Sequence, residues 1–499
     1  MEGRGAARLG SWARLGILAR RGFGQVTPEP FVIAVLLSAL VGVASAIALS
    51  LGTDPPTDGI GPALLGRWQG SAGLWGLLAF TTQAGLMLVL GTALASAPAV
   101  RRGLERLVTV PSGARGLVAL TAAVSCVLCV VNWSLGLVCG AVFARAAGRE
   151  AARRGLQLHY PLLCAAGYAG MMAWHGGLSG TAPLKATTSK DMVEVLGAEL
   201  AARVGVIPLS ESLRGDLNLW VTGGLLVLAP LLFAAMTPAE GADPEATAAP
   251  ADGESGLDRR GGGAARVSAT SDREPPADAP KIGEARGAAA SDDRLARLER
   301  SPVITWLLAL PMLGALGLFL ARGGIQALDL NTVNLGLWAA ALILHGRPDR
   351  FVAACEDGIR GCAGIFLLFP LYAGIMGMMG VSGLSARLAQ LFADVGDGLF
   401  TTITFGAAGL LNLFVPSGGG QWAIQGPILM DAALARGIAP ADAMMAMAYG
   451  DQWTNMLQPF WAVPLLAITG VRARDIVGYC AIWMVVGGLW IVGGLLLWT

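Results

Sequence analysis

Apolar positions in this chain gather into runs too long and continuous for the amphipathic faces of a soluble protein. Runs near 31–51, 73–97, 160–184, 217–236, 302–321, 331–346, 362–382, 441–470 and 475–498 match the length that crosses a roughly 30 Å hydrocarbon core, and they predict membrane helices. The run at 331–346 is short. Two further apolar regions, 117–147 and 398–430, are broken in the middle by NWSLGLVCG (132–140) and NLFVPSGGGQW (412–422). Each is followed by a second interrupted segment, GMMAWHGGLSGTAPL (170–184) and AYGDQWTNMLQPFWAVPL (448–465).

Between 237 and 301 the sequence turns to Ala, Gly, Pro, Asp, Glu and Arg. Without an apolar period it cannot offset its ordering entropy, so a disordered cytoplasmic linker is expected, with a short amphipathic helix at 292–300 leading into the next span. Residues 1–29 carry five arginines in the first 22 positions and no cleavage site, which predicts a retained cytoplasmic leader rather than a signal peptide. Clustered arginines mark cytoplasmic ends: Arg101, Arg102, Arg106 and Arg115; Arg145, Arg149, Arg153 and Arg154; Arg347 and Arg350; Arg472 and Arg474. Counting spans from these, 117–147 leaves and re-enters on the cytoplasmic side. Region 398–430, flanked by Asp394, Asp397, Asp431 and Asp442, dips in from the opposite face, although lone Arg387 and Arg436 run against that placement.

Setting His175 against Asp451 also sets Ser179 against Asn455 and Pro183 against Pro459. The expected fold is an all-α polytopic membrane protein of two inverted repeats, each with a re-entrant helical hairpin and a broken transmembrane helix. The first repeat would cover 30–236 (hairpin 117–147, broken helix 160–184) and the second 302–499 (hairpin 398–430, broken helix 441–470). Non-helical backbone at membrane depth must face protein, water or a ligand, because hydrocarbon satisfies no N–H or C=O. Opposed half-helices place their positive N-termini and free carbonyls at the midplane, where small ions are held. The plainer alternative for any one segment is glycine-mediated helix packing.

Composition narrows the class. The chain has 499 residues, 54% hydrophobic and 14% charged, with net charge +1, which excludes a soluble domain and leaves no basic field for nucleic acid. Seven cysteines lie mostly in apolar segments and read as small buried hydrophobes; Cys126 and Cys129 form a CxxC with no companion metal ligands.

The motifs NWSLGLVCGAVFAR, HGGLSGTAPL, NLFVPSGGGQWAIQGP and YGDQWTNMLQPFWAVPLLAI together resemble the short-chain fatty acid transporter family of the AtoE type, within the ion transporter superfamily. The similarity runs from about residue 25 to the C-terminus, the linker excepted. It implies uptake of butyrate, acetoacetate or similar monocarboxylates, a scaffold and a mobile transport domain, a homodimer and an elevator motion, in a bacterial inner membrane.

For a small carboxylate, hydroxyls, amides and backbone N–H groups at half-helix N-termini are the expected donors, since a buried Lys or Arg is costly to desolvate. Asn132, Ser134, Gly136, Ser179, Gly180 and Thr181 fit that role in the first half. Asn412, Ser417, Gly418, Gly419, Gly420, Gln421, Thr454 and Asn455 fit it in the second, with Ser417 and the three glycines the tightest anion cradle. Any of the Ser, Thr and Asn residues could equally cap a half-helix. Asp451, acidic within a membrane segment, marks an ion or proton path; it would hold Na+ together with Asn455, or carry H+, and His175 would relay a proton or simply be a satisfied neutral ring. No cofactor beyond that coupling ion is expected. Trp133, Trp174, Trp422, Trp453, Phe460 and Trp461 flank the breaks and would wall an acyl chain or anchor at the interface. No P-loop, GxSxG or HExxH occurs, which speaks against direct ATP drive and against the commonest hydrolases. The alternatives are a transporter of another small organic anion and a channel or facilitator.

Overall fold

The computed structural model describes residues 10–26, 28–52, 56–238, 297–324, 330–360, 362–384, 386–387 and 399–498, with the backbone alone for Gly24, Val26, Phe80, Ser134, Leu330, Pro459 and Phe460. The linker expected at 237–301 therefore lies outside the described residues from 239 to 296, as does residue 398 at the start of the second hairpin.

The described residues are helical, with no strand. In chain order the helices are α1 (Ser11–Val26), α2 (Pro30–Ser50), α3 (Ile60–Gln69), α4 (Leu78–Ser96), α5 (Pro98–Leu107), α6 (Ala114–Val131) and α7 (Trp133–Arg153). Then come α8 (Tyr160–Tyr168), α9 (Thr181–Lys185), α10 (Ser189–Leu196), α11 (Ala198–Val204), α12 (Asp216–Met236), α13 (Pro302–Gly323) and α14 (Leu330–His345). The last are α15 (Pro348–Ile359), α16 (Ala363–Val381), α17 (Phe400–Asn412), α18 (Gly418–Ala435), α19 (Pro440–Thr454), α20 (Pro459–Thr469) and α21 (Ala473–Trp498). Six of them, α2, α6, α12, α13, α16 and α21, are long and apolar enough to cross a membrane. The apolar run at 73–97 is α4, which turns by 74° into α5 at Pro98, whose ring cannot continue a straight helix.

Both interrupted regions fold as helical hairpins. The first is α6 and α7, broken at Asn132; the second is α17 and α18, broken over Leu413–Ser417. An arginine closes each at its base. Arg154 donates to the carbonyls of Pro111 (2.6 Å) and Val108 (3.3 Å), and the Arg436 guanidinium lies 5.0 Å from the Phe400 ring centre. The two later segments are broken helices: α8 runs through tight 3-10 turns at Ala169–Met172 and Trp174–Gly176 to α9, and α19 through Asn455–Leu457 to α20. Helix α20 stops at Gly470, which adopts φ 75°, ψ 5°, a left-handed cap that glycine enters without steric cost.

Helices from both halves form two groups. Helices α2, α3, α4 and α13–α16 pack among themselves, while the hairpins, the broken helices, α12, α21 and α1 form the other group. Glycine contacts give the register between the halves. A methyl group on Gly170 would strike the Ser125 carbonyl, and one on Gly450 the Phe405 carbonyl. Intervals from the hairpin asparagines match: 125, 132 and 170 in the first half, 405, 412 and 450 in the second. By that interval His175 falls against Asn455, whereas the sequence alignment set it against Asp451.

Within the leader, residues Ser11–Val26 are helical. Helix α1 packs on α21, with Gly16 against the Tyr479 ring and Gly478 against the backbone of Ala19 and Arg20.

Candidate functional site

The breaks converge. His175, in the turn between α8 and α9, is fully buried and places Nε2 3.1 Å from Oδ1 of Asp451 on α19. Its backbone N–H donates to Gln452 Oε1 at 2.9 Å, and the Trp174 indole lies over the imidazole with 3.6 Å between ring centres. Gly418, the first residue of α18, lies against the same ring. A methyl group there would stand 2.8 Å from His175 Cε1, 2.9 Å from Nε2 and 3.3 Å from Thr181 Oγ1. The first half thus contributes Trp174, His175 and Thr181, and the second Gly418, Asp451 and Gln452.

The pair is incompletely satisfied. Asp451 is 1% exposed, and neither its Oδ2 nor His175 Nδ1 nor Gln452 Nε2 has a hydrogen-bond partner among the described residues. A buried polar atom left this way costs about 1–3 kcal/mol, more when charged, and functional sites are where such a cost is tolerated.

Below the pair, Asn412 ends α17 and knits the second break together. Its Nδ2 reaches the Asp451 carbonyl (2.7 Å), Asn455 Oδ1 (2.9 Å) and Thr454 Oγ1 (3.1 Å). Thr454 in turn donates to the Gly409 carbonyl at 2.8 Å, and Gln458 Nε2 to the Asn412 carbonyl at 2.5 Å. Asn412 Oδ1, Asn455 Nδ2 and Gln458 Oε1 lack partners among the described residues. Across the half boundary, the Tyr168 hydroxyl donates to the Asn455 carbonyl at 2.7 Å.

Other sequence candidates hold backbone. Ser417 Oγ accepts from the Gly420 N–H at 3.2 Å, capping α18. Ser179 Oγ accepts from the Trp133 N–H at 2.9 Å, and Asn132 Oδ1 from the Leu135 N–H at 3.2 Å, so both satisfy donors at the start of α7, as half-helix ends require. Gly136 lets α7 approach the Cys129 backbone, and Gly180 lets its turn pass the His175 carbonyl. Gln421 Nε2 donates across the hairpin arms to the Ala408 carbonyl and, within α18, to Gln425 Oε1, both at 2.8 Å. The Ser134 side chain lies outside the described residues.

Of the aromatics, Trp133, Trp174 and Trp461 form one cluster, with ring centres 4.9 Å (Trp133–Trp461), 6.2 Å (Trp133–Trp174) and 6.3 Å (Trp174–Trp461) apart. Trp453 turns away instead: it packs on Phe405 at 4.7 Å and donates to the Met484 carbonyl at 2.7 Å. Helical phase sends it to the α17 and α21 side. Trp422 is fully buried beside Gly426, and the Phe460 side chain lies outside the described residues.

Sequence reasoning passed over Gln452, Gln458 and Asn218. The first two were legible as amides inside an apolar broken segment. Asn218 on α12 carried no such signal, yet its amide uses its full bonding capacity. Nδ2 donates to the carbonyls of Gly176 (3.0 Å) and Leu213 (2.8 Å), and Oδ1 accepts from Thr222 Oγ1 (2.8 Å) and the Tyr449 hydroxyl (3.0 Å). It thereby ties the residue after His175 to a residue one half-turn before Asp451.

Among the described residues no three His, Cys, Asp or Glu side chains cluster. A cation at Asp451 would be met by a carboxylate oxygen, a hard donor that suits an alkali ion better than a soft transition metal.

A family model described as short chain fatty acid transporter matches residues 13–498. A protein of Escherichia coli K12 named "Putative short-chain fatty acid transporter" is 36% identical over 475 residues, covering 94% of this chain and 96% of that protein. One of the same name from Haemophilus influenzae is 33% identical over 459 residues, covering 91% and 92%. Two solved structures are more distant. MtrF of Neisseria gonorrhoeae, reported with a class of antimetabolite efflux pumps, is 15% identical with a TM-score of 0.43 and 97% of both chains covered. The Alcanivorax borkumensis YdaH transporter is 18% identical with a TM-score of 0.40, covering 94% of this chain and 97% of that one. Family membership is decided by the sequence matches, which run almost end to end: this chain is a multi-pass membrane protein and belongs to the short-chain fatty acid transporter family.

Proposed function

We propose that this chain is a secondary active transporter that carries a short-chain monocarboxylate, such as butyrate or acetoacetate, inward across the bacterial cytoplasmic membrane with Na+ or H+. The observation that carries this reading is the His175–Asp451 contact, buried where the two broken helices meet the second hairpin tip. Two carboxylates a few ångströms apart in a low dielectric repel by several kcal/mol. A substrate anion therefore enters beside Asp451 only when its charge is neutralised, by a proton shared with His175 or by Na+ on the carboxylate and neighbouring oxygens. That electrostatic requirement is the coupling.

The α18 N-terminus, with Gly418 and Gly419 bare of side chains and Thr181 alongside, offers the positive end of a helix dipole to the substrate carboxylate. Trp133, Trp174 and Trp461 supply apolar surface for a short acyl chain. We read the two helix groups as a scaffold and a moving domain that work by an elevator motion in a homodimer, with inverted repeats and a cytoplasmic N-terminus.

The test is uptake of radiolabelled butyrate and acetoacetate into proteoliposomes under an imposed Na+ or pH gradient, for wild type and Asp451→Asn. Accumulation under one gradient, abolished by Asp451→Asn, is expected. Equilibration without accumulation would turn the reading to a facilitator, and no uptake of either acid would reject the cargo.

A further inference from the structure

Helix α1 presents three different faces. At 3.6 residues per turn, Ala13, Gly16 and Ile17 share one face and are buried against α21. The next face carries Trp12, Leu15 and Phe23, which are 44%, 46% and 39% exposed. Arg14 and Arg21, both exposed, share a third face away from these aromatics, with the exposed Leu18 between them and Leu15.

Depth is set by α21. Its 26 residues make a helix about 9 Å longer than a roughly 30 Å hydrocarbon core. The charged pair Arg474 and Asp475 lies in its first turn, so the excess falls at that end. Gly478 and Tyr479, the residues that α1 touches, stand at the point where α21 enters hydrocarbon, and Gly16 also faces Met236, the last residue of α12. Helix α1 is therefore joined to the charged end of α21, with its apolar face and its basic face both exposed there.

We infer that α1 is an in-plane anchor that binds anionic phospholipid headgroups, Arg14 and Arg21 meeting the phosphodiesters while Trp12, Leu15 and Phe23 seat the helix in the interface. Aromatic and leucine side chains opposite a basic edge are the pattern of interfacial helices, and each basic residue at an anionic surface is worth roughly fivefold in affinity.

The experiment titrates the purified full chain in neutral detergent with fluorescent phosphatidylglycerol and phosphatidylcholine. The chain is compared as wild type, as Arg14→Gln/Arg21→Gln, and as Arg101→Gln/Arg102→Gln, whose arginines are exposed on α5. Thermal unfolding of each variant verifies folding. Expected is a phosphatidylglycerol preference that falls at least tenfold in the α1 variant, survives in the α5 variant and weakens with salt. An unchanged preference in the α1 variant overturns the inference. So does an equal loss in both variants, or a shift of oligomeric state in the α1 variant without loss of lipid preference, which would assign the face to a second copy of the chain.

Discussion

Gly418→Ala and Gly419→Ala change adjacent residues by one methyl group each, and the structure predicts opposite outcomes. Both glycines lie in the first turn of α18, and neither has a positive φ, so the backbone accepts alanine at either. At 418 the methyl would stand 2.8 Å from His175 Cε1 and 2.9 Å from Nε2, well inside the 3.5–4.0 Å of ordinary carbon contacts. The ring cannot retreat, because Trp174 covers it at 3.6 Å. Overpacking of this kind costs about 1–3 kcal/mol. A shift of roughly half an ångström also takes the 3.1 Å His175–Asp451 contact beyond hydrogen-bonding distance. At 419 the methyl would meet only Thr181 Cγ2, at 3.5 Å, and replacing glycine in a helix contributes up to about 1 kcal/mol. Thermal unfolding of the purified variants and gradient-driven butyrate uptake should therefore separate them. Gly418→Ala should unfold earlier and lose uptake at least tenfold, and Gly419→Ala should be as stable as wild type or more so. If both variants lose stability to the same degree, the close approach of the hairpin tip to His175 is wrong.

Asn218→Leu keeps volume but leaves two carbonyls and two hydroxyls without their partner. A loss of at least about 2 kcal/mol is expected in denaturant or thermal unfolding, and an unchanged transition would refute the network. Ser179→Ala removes the acceptor for the Trp133 N–H and should cost about 1 kcal/mol with the KM for uptake unchanged; a raised KM would make Ser179 a substrate ligand instead. Glu150, beyond the apolar part of α7, is bonded by Arg153 at 2.7 Å and by Arg154 at 2.5 Å, and these bonds lower its pKa from 4.5 to about 2. Because the folded value is the lower one, its contribution is complete above about pH 4.5 and is lost as pH falls through about 2. The stability difference between wild type and Glu150→Gln should accordingly be constant from pH 7 to 5 and shrink on further acidification, and a difference that grows with acid would contradict the pairing.

The sequence by itself determined that this is an all-helical, multi-pass membrane chain and where several of its helices break. Those properties are local: about 20 apolar residues make a span, and Pro416, with no N–H to give, falls in the break just before α18. The hairpin breaks at Asn132 and Asn412, and the interruptions after Tyr168 and Thr454, followed from composition alone. Family membership was legible for the same reason, in four short motifs. Tertiary structure alone decided what each polar side chain does. Ser179 and Asn132 became caps, Trp453 left the aromatic cluster, Asn218 became a clamp and α1 a docked helix. His175 came to lie against Asp451. Those outcomes depend on contacts such as His175–Asp451, made between residues 276 positions apart. Hydropathy and spacing register only near neighbours along the chain, whereas which buried donor faces which acceptor is settled by how whole helices pack.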